Sequence, residues 1–149
     1  MKNLSENAKN LFKNSTNNLT LLSNASAFLM AEFDHLNWVG FYLFDNDESL
    51  ILGPFQGNVA CEVIKVGSGV CGTAFKENKI LNVSDVNNFK GHIVCDHKSK
   101  SEVVFPLVKD NYKIGVLDID SYLFSRFDDA FINEINIVIE ELLKEYQIK

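Results

Sequence analysis

Apolar and polar positions change period along the chain, and each change marks an element. Over residues 5–33, Ala8, Leu11, Phe12, Leu19, Leu22, Ala25, Leu29 and Phe33 roughly follow a helical stripe, and the polar run at 14–18 predicts a break into two helices. Residues 37–44 alternate instead, with Trp38, Gly40 and Tyr42 on one face of a strand and Val39, Phe41 and Leu43 on the other. Asp45-Asn46-Asp47 reads as a turn, and residues 50–52 as a short second strand closed by Gly53-Pro54. Residues 60–66 alternate as a third strand. Gly67-Ser68-Gly69 ends it, residues 70–78 predict a short helix, and 79–83 a fourth strand. Residues 84–101 have poor periodicity, and loops this long in compact domains are usually functional or mobile. Residues 102–109 and 113–120 are two strands joined by Asp110-Asn111, a strong hairpin signal. Ser125 or Asp128 caps a last helix that runs to about residue 146, with the stripe Ile132, Ile135, Ile139, Leu142 and Leu143.

This order predicts an α+β fold: a central six-stranded antiparallel sheet with the N- and C-terminal helices packed on one face. A length of 149 residues suits one domain with one core. Apolar residues at 46% and charged residues at 23% argue against wholesale disorder. A net charge of −6 makes nucleic acid a poor partner. No apolar run is long enough to span a membrane, and the first ten residues lack the apolar core of a signal peptide. A cytoplasmic protein with reduced thiols is therefore expected.

The chemistry-bearing residues fall into three groups. The first is the cysteines, Cys61, Cys71 and Cys95, an odd count without a C-x-x-C pair. Cys95 lies in the long loop among His92, Asp96, His97 and Lys98, and neighbouring cations favour a thiolate. It is a candidate nucleophile, although an inert loop thiol fits the same residues. Cys71 follows Gly67-Ser68-Gly69 at a helix start, where the helix field lowers a thiol pKa; a small packing residue fits equally. Cys61, on the third strand, reads by itself as a core cysteine. His92, Cys95 and His97 fit no standard zinc spacing, so no metal is expected. The second group is acidic. Asp118 and Asp120 share one face of the last strand, and the hairpin brings Glu102 near them. Crowded, partly buried carboxylates repel one another, so at least one can keep its proton near neutral pH. A solvated strand end is the plainer alternative. The third group is Trp38-x-Gly40-x-Tyr42, either ordinary sheet packing or a pocket floor in which Gly40 leaves room for a ligand.

Taken together, seven ordered blocks resemble the free methionine-(R)-sulfoxide reductase family, whose members are single GAF domains. They are Asn37-Trp38-Val39-Gly40-Phe41-Tyr42, Leu52-Gly53-Pro54-Phe55-Gln56-Gly57, Ala60-Cys61, Gly69-Val70-Cys71-Gly72-Thr73-Ala74, Gly91-His92-Ile93-Val94-Cys95-Asp96, Ser101-Glu102-Val103-Val104 and Gly115-Val116-Leu117-Asp118-Ile119-Asp120-Ser121. The resemblance implies one GAF domain over residues 1–149. It matches Cys95 to the nucleophile, Cys61 to the resolving cysteine and Cys71 to a third cysteine that serves as an alternative resolver. Glu102, Asp118 and Asp120 match the pocket carboxylates, and Trp38 and Tyr42 its aromatic wall.

The implied reaction needs no bound cofactor. Glu102 with Asp120 would protonate the sulfoxide oxygen, Cys95 would become a sulfenic acid, and Cys61 would close a disulfide that thioredoxin, fed by NADPH, reopens. Asp118, with Glu102, would hold the substrate ammonium group, and backbone amides near Ile93, Val94 and Val116 its carboxylate. Family members commonly form homodimers, so a homodimer is expected by resemblance. The alternative is a non-catalytic GAF module that binds a small molecule or senses redox state.

Overall fold

The computed structural model describes residues 3–91 and 98–148. Two helices come first, α1 (Leu4–Phe12) and α2 (Asn18–Glu32), broken where the polar run predicts. Asn3 and Asn17 cap them, each side chain accepting from a backbone N–H three residues on, those of Glu6 and Thr20, at 3.0 and 2.9 Å. Then come β1 (Trp38–Phe44), β2 (Ser49–Gly57), β3 (Val63–Lys65), α3 (Gly69–Glu77), β4 (Leu81–Val83), β5 (Ser101–Lys109), β6 (Tyr112–Ser121) and α4 (Asp129–Glu145). The six strands form one sheet in the order β3-β2-β1-β6-β5-β4, every neighbouring pair antiparallel. The expected α+β architecture is the one observed.

Alternation sorts the sheet into two faces. Val39, Phe41, Val103, Phe105, Leu107, Leu117 and Ile119 point to the side covered by α1, α2 and α4, and there they join the larger apolar core. Trp38, Tyr42, Val104 and Val116 point to the other side, where α3 lays Val70, Cys71, Ala74 and Phe75 over them. The terminal helices thus pack on one face, as expected, and leave the opposite face to α3 and the loops.

Three local expectations need correction. β2 does not stop at Gly53-Pro54 but runs through it to Gly57, because one extra residue there forms a bulge opposite Phe41. Proline, which has no N–H to give the ladder, is tolerated at such a place. The third strand is shorter than predicted, so Cys61 lies in the loop before β3 and not on a strand. In α4 the deeply buried stripe is Phe131, Ile135, Val138, Ile139 and Leu142, capped by Asp128, while Ile132 and Leu143 are only partly buried against it.

The β5–β6 register decides where the acids fall. Asp110 and Asn111 take φ of 51° and 67°, the left-handed pair that a two-residue hairpin turn needs, and Lys109 pairs with Tyr112. Continued without interruption, that register would set Glu102 opposite Ile119, on the apolar face. A bulge between Leu107 and Val108 intervenes, pairing Val108 with Lys113 but Leu107 with Gly115. From there on Glu102 faces Asp120 and Val104 faces Asp118. Gly115 sits in this bulge at φ 151°, and a Cβ there would run into the Tyr42 carbonyl oxygen and stand 2.9 Å from Leu43 Cα.

Gly115→Ala should therefore cost about 2 kcal/mol or more in urea unfolding, since backbone blocks the added methyl on the neighbouring strand. A loss below about 0.5 kcal/mol would mean that this bulge tolerates a side chain.

Candidate active site

The site is built on the α3 side of the sheet, from three adjacent strands. On β6, Asp120, Asp118 and Val116 lie opposite Trp38, Gly40 and Tyr42 of β1. On β5, Glu102 and Val104 flank the same two aspartates from the other side. All three carboxylates are buried, with 6–8% of each residue exposed. α3 brings the Cys71 thiol to 4.0 Å from Glu102 Oε2, and the thiol and one oxygen each of Glu102 and Asp118 lie within 4.8 Å of one another.

This crowding sets the protonation. Burial, then the charges of Asp120 and Glu102, push the Asp118 carboxyl well above the usual aspartate range. Burial, then the charges of Asp118, Glu102 and Asp120, push the Cys71 thiol well up. The helix-start effect expected to lower it is outweighed, and Cys71 is a free, protonated thiol inside an apolar cluster. Burial also raises the Tyr42 phenol, with Asp118 the largest charge contribution.

The aromatic wall is larger than expected. Trp38 stacks between Tyr42 (5.9 Å between centroids) and Phe55 (5.2 Å). Its Nε1 donates to the Asn58 carbonyl at 3.0 Å. Gly40 does make room, but for this stack rather than for a ligand, since a Cβ there would collide with Phe55 Cβ and the Trp38 ring. The Tyr42 hydroxyl donates to the Cys61 carbonyl at 2.9 Å, tying the loop that carries Cys61 to the wall. Cys61 is disulfide-bonded, in contrast to Cys71. Val116 lies mid-strand between Tyr42 and Pro106, fully buried, as part of the floor.

Ile93, Val94 and Cys95 lie outside the described residues. Ser99 and Lys100 are fastened to the sheet. The Ser99 hydroxyl donates to Asp120 Oδ2 at 3.1 Å and accepts from Asn37 Nδ2 at 3.0 Å. Lys100 N–H donates to the Ser121 carbonyl at 2.7 Å.

The GAF domain profile matches residues 11–140. The free methionine-R-sulfoxide reductase of Escherichia coli (strain K12) is 48% identical over 134 residues, which are 90% of this chain and 81% of that protein. The chain belongs to the free methionine-R-sulfoxide reductase family. Within the family, the reduced form of fRMsr from Staphylococcus aureus superposes with a TM-score of 0.92 at 46% identity, covering 97% of this chain and 93% of that one. The Neisseria meningitidis reductase, solved in complex with its substrate, gives a TM-score of 0.91 at 36% identity over 96% and 86% of the two chains. Among the described residues of this family member, no helix is long and apolar enough to cross a membrane.

Of the site residues expected from the sequence, the structure gathers Trp38, Tyr42, Cys71, Glu102, Val116, Asp118 and Asp120 on one side of the sheet. Sequence reasoning passed over Phe55, Asn58 and Ser99. Phe55 lies in a block that looked like a turn because of Gly53-Pro54. No spacing rule marks a serine at the end of an aperiodic loop.

A raised folded-state pKa means that Asp118 contributes its full stability below the pKa of an unfolded aspartate and loses it as pH rises through the folded value. Asp118→Asn mimics the protonated acid, so its urea midpoint should stay flat between about pH 5 and 9 while that of the parent falls; parallel curves would refute the assignment. Ser99 hydrogen-bonds the Asp120 carboxyl. Ser99→Ala should lower kcat/KM for free methionine (R)-sulfoxide roughly 5-fold to 10-fold and shift its pH profile, with Ser99→Thr restoring both. A drop that Thr does not rescue would point to simple loss of packing.

Proposed function

We propose that this chain reduces free L-methionine (R)-sulfoxide to L-methionine, with Cys95 as the nucleophile. The observation that carries the reading is the trio of buried carboxyls, Glu102, Asp118 and Asp120, converging beside an aromatic wall on the sheet face opposite the terminal helices. The names of the E. coli and S. aureus relatives support the reaction.

A sulfoxide sulfur becomes a good electrophile only when its oxygen is protonated or strongly hydrogen-bonded. A carboxyl must supply that hydrogen, and in this reading the donor is Glu102 together with Asp120, which accepts a hydrogen bond from Ser99. The Cys95 thiolate delivers an electron pair to the substrate, the sulfur–oxygen bond breaks, and oxygen leaves on Cys95 as a sulfenic acid while methionine is released. The resolving thiol then condenses with the sulfenic acid, expelling water and forming a disulfide. A dithiol of the thioredoxin class, itself reduced by NADPH, restores both thiols by exchange. Cys61 suits the resolving role better than Cys71. Burial and three carboxyls keep the Cys71 thiol protonated, whereas the attacking species must be a thiolate.

Selection of the free amino acid is electrostatic. Asp118, with Glu102, receives the ammonium group, whose positive charge lets the raised Asp118 carboxyl give up its proton, and amides near Ile93, Val94 and Val116 receive the carboxylate. The methyl group lies against Trp38 and Tyr42. A sulfoxide inside a polypeptide offers neither terminal charge and loses these contacts.

Coupling the reaction to thioredoxin, its reductase and NADPH tests the reading directly. NADPH should be consumed with the free (R)-sulfoxide and not with the (S) form or a peptide-bound sulfoxide. Cys95→Ser should abolish methionine formation even in a single turnover. Cys61→Ser should make about one methionine per site and then stall. Normal recycling in Cys61→Ser would transfer the resolving role to Cys71, and single-turnover product from Cys95→Ser would end the proposal.

A further inference from the structure

We propose that the reduced site also binds a thiophilic divalent cation of the zinc class through Cys71, Glu102 and Asp118, and that this ion reversibly blocks the reductase. The blocking half rests on the function proposed above; the binding half stands on geometry alone.

The three donors come from three separate rigid elements, α3, β5 and β6, and one ligand atom of each lies within 4.8 Å of the others. All three residues are more than nine-tenths buried, at 4%, 7% and 6% exposure. Zinc-to-sulfur and zinc-to-oxygen bonds of about 2.3 and 2.0–2.2 Å put neighbouring tetrahedral ligands roughly 3.3–3.7 Å apart. The Cys71 Sγ to Glu102 Oε2 separation of 4.0 Å is close to that spacing and closes with a small rotation of the glutamate. A second observation points to a ligand independently of the spacing. Asp118 Oδ1 is buried and has no hydrogen-bond partner among the described residues, a costly state for a carboxyl oxygen.

The donor set selects the ion. One thiolate with two carboxylates suits zinc, or cobalt as its spectroscopic substitute. Magnesium and calcium, which prefer six or more oxygens, are poorly served. Binding is a proton exchange without redox change: the Cys71 thiol releases its proton, the two carboxylates ligate as anions, and a water completes the tetrahedron. The ion would then sit where the substrate's ammonium group is proposed to sit, so the two compete. The histidine-flanked loop, His92-Ile93-Val94-Cys95-Asp96-His97, offers a rival donor set.

The test uses the full chain, reduced and stripped with a chelator, titrated with Co²⁺. A thiolate-to-cobalt charge-transfer band should appear and be displaced by Zn²⁺. It should vanish in Cys71→Ser, and binding should weaken at least roughly 10-fold in Glu102→Gln, a second variant in case the first misfolds. Cys95→Ser should keep the band. Zn²⁺ should raise the apparent KM for free methionine (R)-sulfoxide, and chelator should reverse the effect. Absence of any band, or a band that survives Cys71→Ser and disappears in Cys95→Ser or His97→Ala, overturns the assignment. A chain that binds Co²⁺ through Cys71 yet never reduces the sulfoxide would sink the proposed reaction and leave the metal site standing.

Discussion

One inserted residue in β6 determines whether the acids meet. The two-residue turn at Asp110-Asn111 starts a register that would send the Glu102 side chain into the apolar core beside Ile119. The bulge at Ile114-Gly115 slips the pairing by one, and period-two alternation then turns every residue of β5 beyond Leu107 to the opposite face relative to β6. Ile114 and Leu117 both reach the larger core, while Asp118 and Asp120 reach the other side with Glu102. Gly115 is required for this, since its φ of 151° and its approach to the Tyr42 backbone leave no space for a side chain.

The bulge places like charges directly across a ladder in the middle of a sheet, which is destabilising by itself. Solvation cannot relieve it, because α3 and the aromatic wall close the space. Burial and the charges of Asp120 and Glu102 act on the third acid, raising the Asp118 carboxyl well above the usual aspartate range. What makes the arrangement tolerable is the opposite face. β6 is paired on both edges and backed by an apolar layer that includes Phe41, Phe105, Leu117 and Ile119, all at most 1% exposed. The strands cannot splay to separate the carboxyls without opening that core. A rigid, desolvated acidic pocket is a strong attractor for cations, whether an ammonium group or a metal ion.

Much of this was legible in the sequence. Alternation in β1 and β6 correctly assigned both faces, and Asp110-Asn111 located the hairpin. The acidic trio was expected from strand pairing alone, but only to the coarse level of a shared sheet end. A bulge shifts side chains by one residue and leaves no period of its own, so the face of Glu102 was not derivable without it. Pro54 misled for a related reason: read as a strand terminator, it occupies a bulge where its missing N–H does no harm. Gly40 was left between sheet packing and a pocket floor, because a strand pattern says nothing about rings folding back over it, and packing is what it serves. Cys61 fell on an alternating run that proved too short to hold it in the ladder. Ser99 carried no local signal, since its partners Asn37 and Asp120 lie 62 and 21 residues away.

The cysteines show how environment distinguishes residues of one chemical type. Sequence context left Cys71 open between a thiol activated by the field at the helix start and a small packing residue. That field acts only over the first turn and amounts to well under a full charge. Burial opposes it first, and the charges of three buried carboxyls, two with an oxygen within 4.8 Å of the thiol, add to that effect. Cys71 is thereby a poor nucleophile and a good latent ligand: its proton is released only to something that brings positive charge. Cys61 lies outside the ladder, in a loop fastened by the Tyr42 hydroxyl, and is disulfide-bonded. In the proposed cycle, Cys61 is the thiol that takes part in disulfide exchange. The acids proposed to activate the sulfoxide also raise the Cys71 thiol and so work against its ionisation.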